Sequence, residues 1–289
     1  AMRATRPLAA AAAAHGGPPS LEGSVAWVVG GAGVIGRGIV RGLLRAGATV
    51  VVNSDVHKTL VQLEEDLNHP AGLVTLRGSM MQHYNGLQPL VEQAMEMPQL
   101  AGRQIQHVVA HSGVRWWAKD GATFEQNLNR KFRTLSLMNM GLADFAHNAT
   151  RVTSLHLSAA KMLMPQLLRV SDATYTFVNG GLGRNRTAID QVNVHGMWGL
   201  AAAMREEFSD SPVRVEELRV TLAFDRLARE KELDPRPTPL SHDIGDICAG
   251  MAVNAVGWPP NPVFQAVDSY DHILWLKTRY PFEAVVDVS

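Results

Sequence analysis

Along this chain, short apolar and β-branched runs alternate with stretches in which apolar residues return every three or four positions. The first run, SVAWVVGG from Ser24, ends in glycines as a buried parallel strand should. Over residues 34–46, Val34, Ile35, Ile39, Val40, Leu43 and Leu44 share one face while Arg37, Arg41 and Arg45 occupy another, so a helix is predicted, closed by Gly47. ATVVVNSD (48–55) is a second strand, 58–67 a helix stopped before Pro70, GLVTLRG (72–78) a third strand, 87–97 a helix and IQHVVAHSG (105–113) a fourth strand.

Residues 114–150 break this rhythm with a Trp-Trp pair, NLNRKFR and a Met/Asn/Gly stretch, and read as an irregular or helical insertion. The alternation then resumes: a helix over 154–168, strand 173–181, a helix over 189–208 and strand 213–220. The Pro- and charge-rich segment 229–240 reads as a surface linker or lid, Ser241 caps a helix to about Val256, and 263–268 supplies a last strand. Alternating strands and helices call for an α/β, single-domain Rossmann fold over 21–289, a doubly wound parallel sheet flanked by helices. Residues 1–20, with an alanine run, two arginines and no acid, stand apart as a disordered arm or the remnant of a targeting peptide.

Composition narrows the function. With 46% hydrophobic and 19% charged residues, the chain can bury a sizeable core. Lys plus Arg balances Asp plus Glu at 27 each, so no excess charge draws it to nucleic acid or to a membrane surface. No apolar stretch approaches the roughly 18 residues a membrane helix needs. A single cysteine, Cys248, leaves no internal disulfide, which favours the cytoplasm, or an organelle matrix if the arm is a targeting remnant.

The strongest chemical signal is GGAGVIG. Glycines at 30, 33 and 36, set between a strand and a helix, allow a tight turn and a close approach of main chain to a pyrophosphate, and the helix N-terminus offers free N–H groups. Gly30, Gly33, Ile35 and Gly36 are therefore the candidate cofactor-binding residues, with Ser112 at the end of the fourth strand. At the end of the second strand, Asp55 either accepts hydrogen bonds from ribose hydroxyls, which favours NAD over NADP, or serves as an ordinary turn residue or helix cap.

These residues resemble the short-chain dehydrogenase/reductase family over roughly 21–275. The likeness is carried by VVGGAGVIGRGIV, by HVVAHSGV where the family has Asn-Asn-Ala-Gly, by AAKMLMPQLL, and by the closing SHDIGDICAGMAVNAVGWPPNPVFQAVD. The resemblance implies NAD(P) binding and a catalytic tyrosine followed four residues later by lysine, with a serine and an asparagine. Aligned on Gly199-Leu200, the tyrosine position holds Asp190 and the lysine position Val194; the serine becomes Gly180 beside Asn179, and the asparagine falls on Arg151 or Val152. Tyr84, Tyr175, Tyr270 and Tyr280 are followed four residues on by Gln88, Asn179, Leu274 and Ala284, so no Tyr-x-x-x-Lys exists. Hydride transfer to a carbonyl needs a positioned proton donor of suitable pKa, and Val194 supplies no charge to tune one.

Other candidates are thinner. His107 and His111 sit four apart on a strand, where that spacing spans about 13 Å and makes no two-ligand clamp, so no metal site is expected. His111, Ser112, Asn179 and His195 can approach the cleft beyond the strand ends, and His111 is the best placed of them as a substitute acid or base. Trp116 and Trp117 either cover a ligand or partner or pack the insertion; Arg130, Lys131 and Arg133 read as a solvated face. Small residues on helices 154–168 (Ala159, Ala160, Met164) and 189–208 (Gly196, Gly199, Ala202, Ala203) suit either close packing on the sheet or the homo- or hetero-oligomer interface that the resemblance implies.

The expected function is a dinucleotide-binding protein, degenerate in the family's catalytic residues, that acts as a sensor, scaffold or partner subunit. The alternatives are an oxidoreductase on a small carbonyl or alcohol with a non-standard proton donor, and a structural subunit that binds no nucleotide.

Overall fold

The computed structural model describes residues 20–78, 87–111, 137–180, 188–222, 240–253 and 264–288. The first strand, β1 (Val25–Val29), is buried on both faces, and the chain turns through Gly30 into α1 (Val34–Arg45). β2 (Thr49–Ser54), α2 (His57–Asp66), β3 (Leu73–Arg77), α3 (Leu87–Glu96) and β4 (Ile105–His111) follow. A short 3-10 turn (Leu137–Asn139) leads to α4 (Leu142–Leu167), then β5 (Thr174–Gly180), α5 (Ala188–Glu207), β6 (Arg214–Val220), α6 (Leu240–Val253), β7 (Gln265–Val267) and α7 (Tyr270–Arg279).

The described strands form a seven-stranded sheet in the order β3-β2-β1-β4-β5-β6-β7, with every paired neighbour parallel. Strand alternation divides the core in two. Ala26 and Val28 face a cluster with Ile39, Leu43, Leu63, Ile244, Ile247 and Leu276, while Val25, Trp27 and Val29 face one with Leu90, Leu163, Met197 and Tyr175. Helices thus cover both faces, as an all-parallel sheet requires. Between β1 and β4 the winding reverses direction, which opens a crevice beyond the carboxyl ends of the strands.

Three features differ from expectation. Ser241, read as a helix cap, lies inside α6, because Leu240 before it is already helical. The stretch from Leu142 to Arg151, read as part of an insertion, already belongs to α4, because Gly141 starts the helix in extended conformation and the Met/Asn/Gly composition just before it masks the boundary. After β7 stands α7, which the periodicity does not predict; Ser269 caps it by accepting from the His272 N–H, and Lys277 and Arg279 lie in its last turn. The arm 1–19, Ser112, the Trp116-Trp117 pair, the basic cluster at 130–133 and most of the linker 229–240 lie outside the described residues.

α1 and α6 cross in unusually close contact. A Cβ on Gly38 would strike the Ser241 carbonyl, one on Gly42 the Gly245 backbone, and one on Gly245 the Gly38 carbonyl. The clamp is reinforced by Arg45, which donates to Asp246 at 2.8 Å, and by Lys277, whose Nζ reaches Asp243 at 3.2 Å and Asp246 at 3.0 Å. Because backbone cannot yield as a flexible side chain can, Gly38→Ala is expected to cost about 3 kcal/mol in denaturant unfolding. Gly199, with nothing near its missing Cβ, is the contrasting helical glycine; Gly199→Ala is expected to stabilise by up to about 1 kcal/mol. Equal effects at the two positions would contradict the close crossing.

Candidate functional site

The turn between β1 and α1 is built almost wholly from main chain. Gly30 adopts φ +76°, a left-handed conformation that favours glycine, and a Cβ there would stand 2.9 Å from the carbonyl oxygen of His111. A Cβ on Gly36 would be driven into the Gly30 carbonyl oxygen. The Gly33 N–H donates back to that oxygen at 3.1 Å, and the Arg37 N–H donates to Gly33 at 2.8 Å, so the helix opens at Gly33. No side chain caps this end and no acid lies in the first turn. The leading N–H groups therefore face the crevice with their partial positive charge uncompensated. The Ile35 side chain is buried in the core, so only its main chain is available to the turn.

The edge of the site over β2 is held by a buried polar tie. Trp27 Nε1 donates to Asn53 Oδ1 at 3.2 Å, and Asn53 Nδ2 donates to the Gly78 carbonyl at 3.1 Å, which binds the ends of β1, β2 and β3 together. Beyond them, Ser54 Oγ receives the Val56 N–H at 3.2 Å and meets Thr59 Oγ1 at 2.9 Å. α2 starts at Val56 without a side-chain cap, so Asp55 is not the helix cap. Its carboxylate stands exposed just past the end of β2, at the place where a ribose would be read.

At the positions that the sequence resemblance assigns to the family's catalytic side chains, the chain is apolar or occupied otherwise. Val194 is buried, Gly180 carries no side chain, and Val152 is buried; the side chains of Asp190 and Arg151 lie outside the described set. Asn179 donates through Nδ2 to Glu217 Oε1 at 2.9 Å, while its Oδ1 has no partner among the described residues. Glu217, fully buried, also takes Arg205 at 3.2 Å and Arg219 at 2.9 and 3.1 Å, and the Arg219 guanidinium lies between the rings of Trp198 and Phe264. This network locks α5 to the ends of β5 and β6. His195 is exposed, bonded to the Gln191 carbonyl at 2.8 Å and set against Trp198. Neither residue is aimed as a proton donor.

His111 is different. It closes β4 at the reversal of winding, buried, with Nδ1 3.8 Å from where a Gly30 Cβ would stand. One residue missed from the sequence joins it: His156 on α4, wholly buried, whose two ring nitrogens have no hydrogen-bond partner among the described residues. The periodicity of α4 puts position 156 on the buried face, but only the folded packing reveals an imidazole there without a partner. Of the small residues expected at an interface, Ala159, Ala160 and Met164 turn into the chain's own core, whereas Gly199, Ala202 and Ala203 are exposed on α5. Among the described residues no group of three or more metal-ligating side chains occurs, and no helix is long and apolar enough to cross a membrane.

Burial pushes His107 and His111 down to about 4 and His156 to about 3, with Arg214 adding to the effect on His107 and His111 to that on His156. Above pH 6.5 all three are neutral in folded and unfolded chains alike. Below it the unfolded chain binds protons that the folded one refuses until about pH 4, so stability falls as pH drops from 6.5 to 4. The expected loss is of the order of 2 kcal/mol per imidazole at pH 5. Denaturant unfolding at pH 7 and pH 5 checks this, His156→Leu being expected to flatten the slope; stability that holds level down to pH 5 would contradict it.

No protein-family model and no curated protein sequence matches the chain. Solved structures do. An apo short-chain oxidoreductase from Pseudomonas aeruginosa PAO1, described as containing an atypical catalytic center, superposes with a TM-score of 0.59 at 19% identity over 75% of this chain and 77% of that one. The RhlG/NADP active-site complex from Pseudomonas aeruginosa gives 0.63 at 16% identity over 88% and 98%. A short-chain dehydrogenase/reductase from Brucella melitensis gives 0.59 at 18% over 83% and 92%. The chain therefore has the fold of the short-chain dehydrogenases/reductases, in an atypical form that lacks their Tyr-x-x-x-Lys pair.

Proposed function

We propose that the chain binds a nicotinamide dinucleotide across the crevice between β1 and β4, with NAD preferred, and works without the family's usual catalytic apparatus as a sensor, scaffold or partner subunit. The observation that carries this reading is the side-chain-free turn at Gly30–Gly36, where added Cβ atoms would collide with main chain and the helix end is left uncapped. Gly33 to Gly36 would hold the pyrophosphate through main-chain N–H groups, and Asp55 would accept from the adenosine ribose. Bound there, the nicotinamide would supply hydride chemistry. The RhlG complex with NADP supports a dinucleotide in this crevice, while Asp55 favours NAD. The exposed small residues of α5 would meet a second subunit.

A second reading, an oxidoreductase on a small carbonyl or alcohol, is favoured by one observation: the His111 imidazole stands beside the cofactor turn. Turnover separates the two. Nicotinamide absorbance with a panel of carbonyls and alcohols is expected to stay flat, and turnover lost in His111→Gln would establish the second reading instead.

Binding is tested at Gly33, whose φ of −80° suits any residue and whose added Cβ meets only the Gly30 oxygen at 3.3 Å. Gly33→Asp is expected to leave the free protein's melting temperature equal or higher, since aspartate is a good helix cap. Its carboxylate would occupy the anion site, so the nucleotide-induced rise in melting temperature is expected to vanish. Unchanged nucleotide response in this variant would overturn the site. At the ribose end, Asp55→Ala is expected to weaken NAD about tenfold or more, read by calorimetry, because a charge-assisted hydrogen bond is lost.

A further inference from the structure

Buried polar groups in folded proteins almost always find partners. His107 does, meeting Thr174 Oγ1 at 3.0 Å. His156 does not: it is 0% exposed, and neither Nδ1 nor Nε2 is bonded. A leucine at this position of α4 would pack without that penalty, so the imidazole is retained at a cost to stability.

Its neighbourhood indicates the use. α4 packs on β4, and His111 at the end of β4 is the one titrating group that perturbs His156. His111 in turn lies against Gly30, its carbonyl oxygen 2.9 Å and its Nδ1 3.8 Å from the place of an added Cβ. His111 thus sits directly behind the turn proposed to carry the phosphates, and His156 is buried on the helix that packs against the same strand. The charged groups described on the elements packed around them are Arg37, Arg41 and Arg45 on α1, Glu92 and Glu96 on α3, Asp144 and Lys161 on α4, and His195, Arg205, Glu206 and Glu207 on α5, with His107 further back along β4. None of these is among the causes that shift either imidazole. Two phosphate charges placed on the turn would become the dominant field at the pair, acting through a poorly screening interior. One proton would then be drawn in, and a second refused by like-charge repulsion within the pair.

We infer that His111 and His156 form a proton site coupled to nucleotide occupancy: when dinucleotide phosphates settle on the Gly30–Gly36 turn, the pair takes up one proton from solvent, and binding tightens as pH falls. The inference rests on the dinucleotide reading above. The chemistry is a simple protonation, one N–H bond formed at an imidazole nitrogen and no bond of the nucleotide broken. Burial keeps both rings neutral at pH 6 in the free protein, so the site is empty and ready.

The test is calorimetric titration with NAD at pH 6 in two buffers of different ionisation enthalpy, with adenosine as the phosphate-free probe. About one proton is expected to be taken up per NAD and none per adenosine, with affinity rising up to about tenfold for each unit of pH lost below neutrality. His156→Leu and His111→Gln should each cut the uptake by half or more, while exposed His69→Gln leaves it unchanged. The wild-type buffer dependence and the adenosine control stand even if a variant fails to fold. NAD binding with a heat independent of buffer, or uptake that persists in both variants, overturns the proton site and leaves the nucleotide site standing. Absence of NAD binding in any buffer, with no rise in melting temperature, overturns the nucleotide reading and this inference with it.

Discussion

The passage of main chain between Gly30 and Gly36 is the constraint on which the rest of this molecule depends. The Gly30 carbonyl oxygen sits where a Gly36 Cβ would stand and also receives the Gly33 N–H, so the turn is closed by backbone alone. That closure points the first helical turn at the crevice, presses α1 onto the sheet, and brings the end of β4 to within contact of Gly30. On its other side α1 is pinned by the glycine crossing with α6, so the turn is gripped from both directions. A loop this tightly determined meets an anion with its donors already placed, which is what makes a helix end an effective phosphate site.

Around that turn the molecule has the fold of the short-chain dehydrogenases/reductases, with no Tyr-x-x-x-Lys in its sequence. At the positions that the resemblance assigns to a lysine and a serine stand a buried valine and a glycine, and Asn179 Nδ2 beside them donates to Glu217, which also takes Arg205 and Arg219. These contacts tie α5 to the ends of β5 and β6. His156, buried with both ring nitrogens unbonded among the described residues, stands outside this network.

Much of this was legible from residue order because it is local. Strand-helix alternation, the glycine spacing and the missing Tyr-x-x-x-Lys all follow from residues near one another in sequence, and the parallel sheet realises the alternation strand by strand. Failures came where tertiary contact decides. The start of α4 was hidden by a Met/Asn/Gly composition suited to a loop, although its later turns pack on the sheet. α7 carried a readable cap in Ser269, yet follows so short a strand that the periodicity gave little warning. The small faces on the two long helices looked alike as sequence, and only packing turned Ala159 and Ala160 inward while leaving Ala202 and Ala203 outside. His156 could be assigned to a buried face by its period, but its missing partner and its closeness to His111, which is distant in sequence and on a different element, are properties of the folded chain.

The central claim is that the amides opening α1 receive the phosphates of a dinucleotide. Amide-resolved nuclear magnetic resonance during titration with NAD tests it most directly. Displacement of the Gly33, Val34, Ile35 and Gly36 amide signals to saturation, with the Gly102 amide at the opposite end of the sheet unmoved, is the predicted result. Saturating NAD and NADP that leave those four signals in place would contradict the account.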